Sequence, residues 1–305
     1  MEPIIFAGTP DNAARTLSGL VSAGYEIALV ITREDAPVGR KRVLTPSAVA
    51  AAAESMGLSV LKTNKVSSVD AELIRSSGAR LAVVVAFGAL LRQSTIDLLE
   101  LGWFNLHYSL LPRWRGASPV QSALAQGDTS TGVTLFKIDA GLDTGAIAGS
   151  AQTMIEPTEN TERLLARLTD IGLSLALQEL PKLLSGVARL EPQAGEVTFA
   201  PKIDRSLSRI TLEDSAFTAL NKVRAYNPEP IAWLEFNGEP LRIIEAAHSF
   251  EQLDSTQLAL AKDGVLLGCG DSKAIKLTVV QPAGKQRMSA TDWFRGTKPT
   301  ERMIS

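Results

Sequence analysis

The sequence predicts an α/β protein that has a parallel sheet in its first part and a smaller β-rich domain in its second part. In the first part, short apolar runs alternate with amphipathic helices, which is typical of strand–helix–strand units around a parallel sheet. In the second part, five or six short alternating runs are separated by Gly, Pro and Asp, which indicates a small β-barrel or sandwich. We therefore predict a first domain over 1–189, a linker over 190–208 and a second domain over 209–305.

Length and composition agree with this division. A chain of 305 residues suggests about two domains. The net charge is −2, so a nucleic-acid site would have to be a local basic patch. Cys269 is the only cysteine, which excludes an internal disulfide and a thiolate zinc cluster and fits a reducing cytoplasm. We find neither a signal peptide nor an apolar stretch of about 20 residues, and so expect a cytoplasmic protein with no membrane partner.

The first segments read as strand, helix and strand. Ile4–Ala7 is apolar, the helix over 11–22 places Ala14, Leu17, Leu20 and Val21 inward, and Glu26–Thr32 is the next strand. Gly8 stands alone, without the Gly-x-Gly-x-x-Gly pattern, so a dinucleotide site has weak support. The further predicted elements are helices over 46–57, 70–76, 94–101, 119–125, 161–184 (kinked or ended by Pro181) and 211–224, and strands over 58–61, 81–86, 103–108, 131–138 and 146–153.

Residues 33–45 are a polar, basic connection with a net charge of +2. Thirteen residues exceed the usual connection length inside a compact α/β unit. The segment is either a solvated surface loop or a mobile arm that grips phosphates. Its positive charges are Arg33, Arg40, Lys41 and Arg42, most of them clustered near one end.

Two polar side chains lie near the end of the strand over 103–108. Side chains alternate along a strand, so Asn105 and His107 point to the same side. Pro112, Gly116 and Pro119 keep the chain that follows out of regular structure. An amide and an imidazole at a strand end, followed by an irregular loop, suggest an active site.

A catalytic imidazole usually needs an orienting carboxylate. The acidic turn over 139–145 offers Asp139, which could bond its own backbone, and Asp143, which is free to point inward. A metal site has poor support, because one nearby histidine and two aspartates would make a loose site. A hydrolase triad also has poor support, because Ser109 lies outside a Gly-x-Ser-x-Gly elbow. His248 reads as structural or merely exposed.

An Asn-His-Asp set without a nucleophilic side chain suits transfer of an acyl group from a carrier to an amine. The amide of Asn105 can donate to the oxyanion of a tetrahedral intermediate. His107 can handle the proton that the attacking amine loses, and Asp143 can tune that histidine.

The same residues resemble a known family, the folate-dependent formyltransferases. The resemblance lies in Asn105-Leu106-His107, in the run from Ser109 to Ala117, and in the turn from Asp139 to Gly145. It implies a Rossmann-like formyltransferase domain followed by an OB-fold-like C-terminal β-barrel. It also implies that Asn105, His107 and Asp143 are the catalytic residues, with no metal.

Within the family, the match is closest to members that formylate initiator Met-tRNA, and it covers nearly the whole chain. It implies 10-formyltetrahydrofolate as the formyl donor, initiator Met-tRNA as the acceptor, and a monomer. The donor-binding residues that it implies are Phe87, Gly88, Leu90, Ser109, Leu110, Leu111 and Pro112. The basic residues expected to contact tRNA are Arg40, Lys41, Arg42, Lys202, Arg205, Lys285 and Arg287.

Two other functions remain open at this point. A related enzyme could formylate a sugar nucleotide or a small amine, although the basic loop and the β-rich second domain favour tRNA. A non-enzymatic RNA- or folate-binding protein is the other possibility, and the intact Asn105, His107 and Asp143 argue against it.

Overall fold

The structure is a computed structural model that describes residues 2–39, 41–255 and 257–297. The chain divides into two compact units that interleave along the sequence. The first consists of Met1–Gly116, Ser130–Met154 and Leu165–Phe199, and the second of Ala117–Thr129, Ile155–Leu164 and Ala200–Ser305. The predicted domain boundaries stay a prediction. The predicted tRNA-contacting residue Arg40 lies outside the described residues.

The described residues form short strands and helices in the following order: β1 (Ile4–Gly8), α1 (Asp11–Ser22), β2 (Ile27–Thr32), β3 (Ala36–Val38), β4 (Val43–Thr45), α2 (Ala48–Ser55), β5 (Val60–Lys62), α3 (Ser68–Ser76), β6 (Leu81–Val85), α4 (Gln93–Ile96), β7 (Gly102–His107), β8 (Arg115–Gly116), α5 (Pro119–Gln126), β9 (Ser130–Lys137), β10 (Ile147–Met154), α6 (Thr161–Leu184), β11 (Phe199–Ala200), α7 (Ala216–Tyr226), β12 (Trp233–Phe236), β13 (Glu239–Gln252), β14 (Leu258–Ala261), β15 (Gly264–Gly268), β16 (Lys273–Pro282), β17 (Met288–Ser289) and α8 (Ala290–Thr297).

A seven-stranded sheet in the order β10-β9-β7-β6-β1-β2-β5 organises the first unit. The five strands from β7 to β5 are parallel, while β9 and β10 are antiparallel to their neighbours. Every residue of β1 and β6 is buried, as expected for apolar strands covered on both faces. The predicted α/β class with a parallel, Rossmann-like sheet is confirmed. β7 lies between β6 and β9, which places the end of β7 inside the sheet rather than at its edge.

The α1 helix is confirmed, but its buried face is rotated from the predicted one. Ala13, Thr16, Leu17 and Leu20 are buried. The predicted Ala14 and Val21 are only half-buried. The reason lies in the turn before the helix, where Ala13 packs directly over Gly8 and leaves no room there for a side chain.

Two other predictions about local structure were wrong. The predicted helix over 94–101 is the single turn α4, because the Thr95 carbonyl accepts the Trp103 indole N–H at 3.1 Å and the Leu98 N–H at 3.2 Å, so the helical bond pattern stops. The predicted thirteen-residue loop contains a hairpin, β3–β4, whose pairing satisfies exposed backbone groups. The predicted helix over 161–184 is confirmed, because α6 runs from Thr161 to Leu184 and Pro181 lies inside it rather than ending it.

The second unit contains an antiparallel sheet in the order β12-β13-β16-β15-β14, with β17 paired to β16. The predicted β-rich C-terminal domain is confirmed. Its core, formed by buried residues of α7, α8 and this sheet, includes Val223, Leu277 and Trp293. The predicted helix over 211–224 begins later, at Ala216, because Asp214 closes a turn with the Thr211 N–H at 2.8 Å. Within the described ranges, we find no helix both long and apolar enough to span a bilayer.

Two adjacent residues of α3 allow a matched test of the core of the first unit. Ile74 is fully buried, whereas Leu73 is 48% exposed on the same helix. We expect Ile74→Ala to lower the free energy of unfolding by about 2–5 kcal/mol, because it removes buried methyl groups and leaves a cavity. Leu73→Ala should change it by less than about 1 kcal/mol. Urea unfolding of both variants measures the difference, and equal losses would contradict the packing described here.

Candidate active site

Asn105 and His107 lie at the carboxyl end of β7, on the same side of the strand. Asn105 is paired with Val84 of β6 on one side and Phe136 of β9 on the other, so its backbone is fixed by two neighbours. Its side chain is half-buried and, within the described ranges, forms no hydrogen bond with protein. An amide with unused donors on a fixed backbone can bind a ligand oxygen.

The ring of His107 is 5% exposed and held through Nε2, which lies 2.8 Å from the carbonyl oxygen of Trp114. A carbonyl oxygen only accepts, so we assign the proton of the neutral ring to Nε2. The lone pair is then on Nδ1, which lies 3.7 Å from Oδ2 of Asp143. That separation exceeds a hydrogen bond, so the neutral ring and the carboxylate do not bond directly.

Burial lowers the pKa of His107 below its ordinary value, because the protein interior disfavours the charged ring. The negative charge of Asp143 and the hydrogen bond to Trp114 act in the opposite direction and raise this pKa. The net direction is downward, so the ring is neutral at neutral pH. The edge of the Phe136 ring, 6.3 Å away between centroids, adds an apolar wall.

The two carboxylates of the acidic turn have different partners: Asp143 faces His107, and Asp139 forms hydrogen bonds within the turn. Oδ1 of Asp139 accepts the Gly141 N–H at 3.0 Å and the Thr144 hydroxyl at 2.6 Å, which confirms that Asp139 bonds its own turn. Oδ2 of Asp143 instead accepts the Gly116 N–H at 2.8 Å. Asp143 therefore faces His107 while it is held from the opposite loop.

Sequence reasoning missed Gln193 and Thr198, which lie in the predicted linker. The Gln193 amide donates to the carbonyl oxygens of Asp143 and Gly145 at 2.8 and 2.9 Å. The Thr198 hydroxyl accepts the Trp114 N–H at 2.9 Å. No periodic or motif signal marks either residue, because both act on backbone groups far away in the sequence.

The predicted donor-binding loop over 109–112 is shaped largely by buried groups. Ser109 donates its hydroxyl to the Arg113 carbonyl at 2.6 Å. Thr134, a fully buried polar residue of β9, donates to the Ser109 carbonyl at 2.7 Å and accepts the Leu111 N–H at 3.1 Å. Ser109, Leu111 and Pro112 are buried and Leu110 is half-buried, so a ligand here would mainly meet backbone and Leu110. The role of this loop in donor binding stays a prediction.

The other three predicted donor-binding residues differ in exposure. Phe87 is 3% exposed and packs in the core of the first unit. Gly88 has a φ of 76° and its carbonyl accepts from Arg33 at 2.7 Å, whereas Leu90 is 90% exposed. Of the three, Leu90 has the side chain that a ligand can reach.

The predicted tRNA-contacting residues that the structure describes are exposed. Arg205 stacks its guanidinium over the Trp233 ring at 4.8 Å, which holds the charge near the surface. Their contacts with RNA stay a prediction. The exposed residues are Lys41, Arg42, Lys202, Arg205, Lys285 and Arg287.

The titratable side chains of the site do not form a cluster of metal-ligand type. In the described part of the chain, no three His, Cys, Asp or Glu side chains come together as metal ligands would. The arrangement instead combines a free amide donor, a neutral imidazole and a carboxylate, which together can stabilise an oxyanion and move a proton.

Comparisons with known proteins agree with this chemistry. The family described as "Formyl transferase" matches residues 2–180, and "Formyl transferase, C-terminal domain" matches residues 202–298. The chain is 40% identical over 303 residues to the methionyl-tRNA formyltransferase of Arthrobacter sp. (strain FB24), covering 99% of each chain. It is 42% identical over 298 residues to that of Leifsonia xyli subsp. xyli (strain CTCB07), covering 96% of this chain and 97% of the relative.

A solved structure shows the same fold at low identity. WlaRD, a sugar 3N-formyl transferase solved in the presence of dTDP and 5-N-formyl-THF, has a TM-score of 0.68 and 18% identity over 94% of this chain and 99% of its own. The two family matches, together with relatives of about 40% identity over the full length, show that this chain belongs to the formyl transferase family.

Proposed function

We propose that this protein transfers the formyl group of 10-formyltetrahydrofolate to the amino group of methionine on initiator Met-tRNA, as a monomer in the cytoplasm. The observation that carries the chemistry is the buried His107, whose Nδ1 lone pair faces Asp143 beside the unbonded amide of Asn105. The full-length likeness to methionyl-tRNA formyltransferases supports the acceptor.

In the first step, the methionine amine attacks the formyl carbon and forms a new C–N bond. Negative charge develops on the formyl oxygen, and the Asn105 amide donates a hydrogen bond to it. Pairing with β6 and β9 fixes the Asn105 backbone, so the amide side chain starts from a fixed position beside His107 before the charge appears.

His107 takes the proton that the attacking amine loses. Nδ1 is the atom that accepts, because Nε2 already carries a proton bonded to Trp114. Asp143 then stabilises the imidazolium, and its Oδ2, 3.7 Å from Nδ1, is near enough for one amine lying beside the pair to contact both atoms. When the bond from carbon to the folate nitrogen breaks, the same proton passes to the leaving nitrogen, and tetrahydrofolate departs.

The exposed basic residues support tRNA as the acceptor. Exposed Lys41 and Arg42 on the first unit, and Lys285 and Arg287 on the second, suit a polyanion. Contacts with phosphates release counterions, so the affinity for tRNA should fall as salt rises.

An assay with labelled 10-formyltetrahydrofolate tests the proposed acceptor directly. We expect label on charged initiator Met-tRNA, a slower reaction with elongator Met-tRNA, and none with amino sugars. The Michaelis constant for tRNA should rise several-fold between low and moderate salt. Transfer to an amino sugar but not to Met-tRNA would overturn the acceptor while leaving the formyl chemistry intact.

Asn105→Ala should lower turnover by about 10²–10³-fold, because one donor to the oxyanion is lost. Asn105→Asp should do the same, since it keeps the shape but replaces the donor with an acceptor. Gln178→Ala, an exposed amide side chain on α6, is the control and should leave turnover near the wild-type value. Near-normal turnover of Asn105→Asp would remove this residue from the mechanism.

The pH profile of Asp143→Asn tests the charge opposite His107. The carboxylate raises the pKa of the ring, so its removal should lower that pKa further and move the acidic limb of kcat/KM to lower pH. The plateau should also fall, because a less basic ring accepts a proton less readily. An acidic limb that stays in place or moves upward would show that Asp143 does not act on His107.

A further inference from the structure

Both groups that face the nitrogens of His107 come from residues in the left-handed backbone region. Trp114, which supplies the carbonyl, has a φ of 60°, and Asp143, which supplies the carboxylate, has a φ of 51°. This region is rare for residues other than glycine, and especially for bulky residues such as tryptophan. Such conformations persist only where the surrounding structure holds them.

One irregular segment, residues 191–198, holds both of them. At its start, Glu191 exchanges backbone hydrogen bonds of 2.8 and 2.9 Å with Ile147, the first residue of β10. At its other end, Thr198 accepts the Trp114 N–H through its hydroxyl and the Arg115 N–H through its carbonyl, both at 2.9 Å. The segment therefore spans from the β10 side of the acidic turn to the loop that carries Trp114.

Gln193 is the centre of this segment. Its amide nitrogen donates to the carbonyls of Asp143 and Gly145 at 2.8 and 2.9 Å, on either side of Thr144. Its amide oxygen accepts from Nε and Nη2 of Arg115 at 3.1 and 2.6 Å. Arginine only donates, so the oxygen must face Arg115 and the nitrogen must face the turn. Every hydrogen-bonding group of this amide is used.

The contacts of Gln193 join the two loops that surround His107. One loop contains Asp143, and the other contains Trp114, Arg115 and Gly116, whose N–H donates to Asp143. Within the described part of the chain, the Gln193 side chain forms hydrogen bonds with backbone carbonyls and Arg115 only, so it can fix the positions of the Asp143 carboxylate and the Trp114 carbonyl without bonding the reacting atoms.

We propose that Gln193 is a positioning residue for the formyl transfer, acting through Asp143, with Thr198 fixing the carbonyl that sets the tautomer of His107. The inference rests on the proposed function and adds two residues to it. It predicts an effect on turnover rather than on donor or tRNA binding, since the side chains of Gln193 and Thr198 bond Asp143, Gly145, Arg115 and Trp114, which are not among the predicted donor- or tRNA-binding residues.

A double-mutant cycle tests whether Gln193 acts through Asp143. We expect Gln193→Ala to lower kcat by about 10–100-fold, the cost of a small misplacement of a catalytic group, with little change in KM for the formyl donor. Gln193→Glu should lose as much, because its carboxylate still accepts from Arg115 but cannot donate to the turn. In an Asp143→Ala background, Gln193→Ala should have almost no further effect.

Thr198 and an exposed glutamine supply matched controls. Thr198→Val removes the oxygen that accepts the Trp114 N–H and should lower kcat, whereas Thr198→Ser keeps that oxygen and should restore most of it. Gln178, exposed on α6, should tolerate alanine without a change in kcat. All variants are to be compared at equal folded fraction, checked by thermal unfolding.

Hydrogen exchange gives a readout that does not depend on the acceptor. The amides of Trp114, Arg115 and Gly116 are all bonded in the wild type, so peptides that contain them should exchange slowly. We expect faster exchange there in Gln193→Ala and Thr198→Val, and wild-type exchange in Gln178→Ala. If the wild type fails to formylate Met-tRNA, the proposed acceptor is wrong, but this measurement still decides the positioning claim.

Three results would overturn the inference. The first is wild-type kcat in Gln193→Ala. The second is an equal loss of kcat in the presence and absence of the Asp143 carboxylate, which would mean that the two residues act independently. The third is unchanged exchange at 114–116 in both Gln193→Ala and Thr198→Val.

Discussion

The hydrogen bond from Nε2 of His107 to the Trp114 carbonyl, 2.8 Å long, is the interaction on which the rest of the site depends. It places the proton of a buried, neutral ring on the nitrogen away from Asp143. The other nitrogen is thereby left as a base, with a negative charge nearby to stabilise the protonated form. If Nδ1 carried the proton instead, the Asp143 carboxylate would face an N–H donor, and the unprotonated Nε2 would point at the Trp114 carbonyl.

Three separate parts of the chain come together around this bond to form the site. The β7 strand ends inside a seven-stranded sheet, so Asn105 and His107 are fixed by strands on both sides. The loop after β7 brings Trp114 back onto the ring, and the turn after β9 brings Asp143 to the other side. Residues 191–198 then join the loop to the turn. The chemistry thus depends on backbone positions as much as on the three side chains.

Much of the first unit could be predicted from the sequence, because buried parallel strands are continuous apolar runs and strand alternation placed Asn105 and His107 on one side. The acidic turn was recognisable from its glycines and aspartates. The helix over 94–101 was predicted too long, because a distant indole, that of Trp103, bonds the Thr95 carbonyl. Gln193 could not be found, since its partners are backbone carbonyls about fifty residues earlier and no local pattern records such a contact.

The tautomer of His107 tests this account most directly. The chain has two histidines, so ring nitrogen-15 resonances in histidine-labelled protein can be assigned with a His248→Gln variant. At neutral pH we predict a neutral ring protonated at Nε2 and bare at Nδ1, titrating below the ordinary histidine range. A ring protonated at Nδ1, or charged at neutral pH, would contradict the proposed role of Nδ1 as the base.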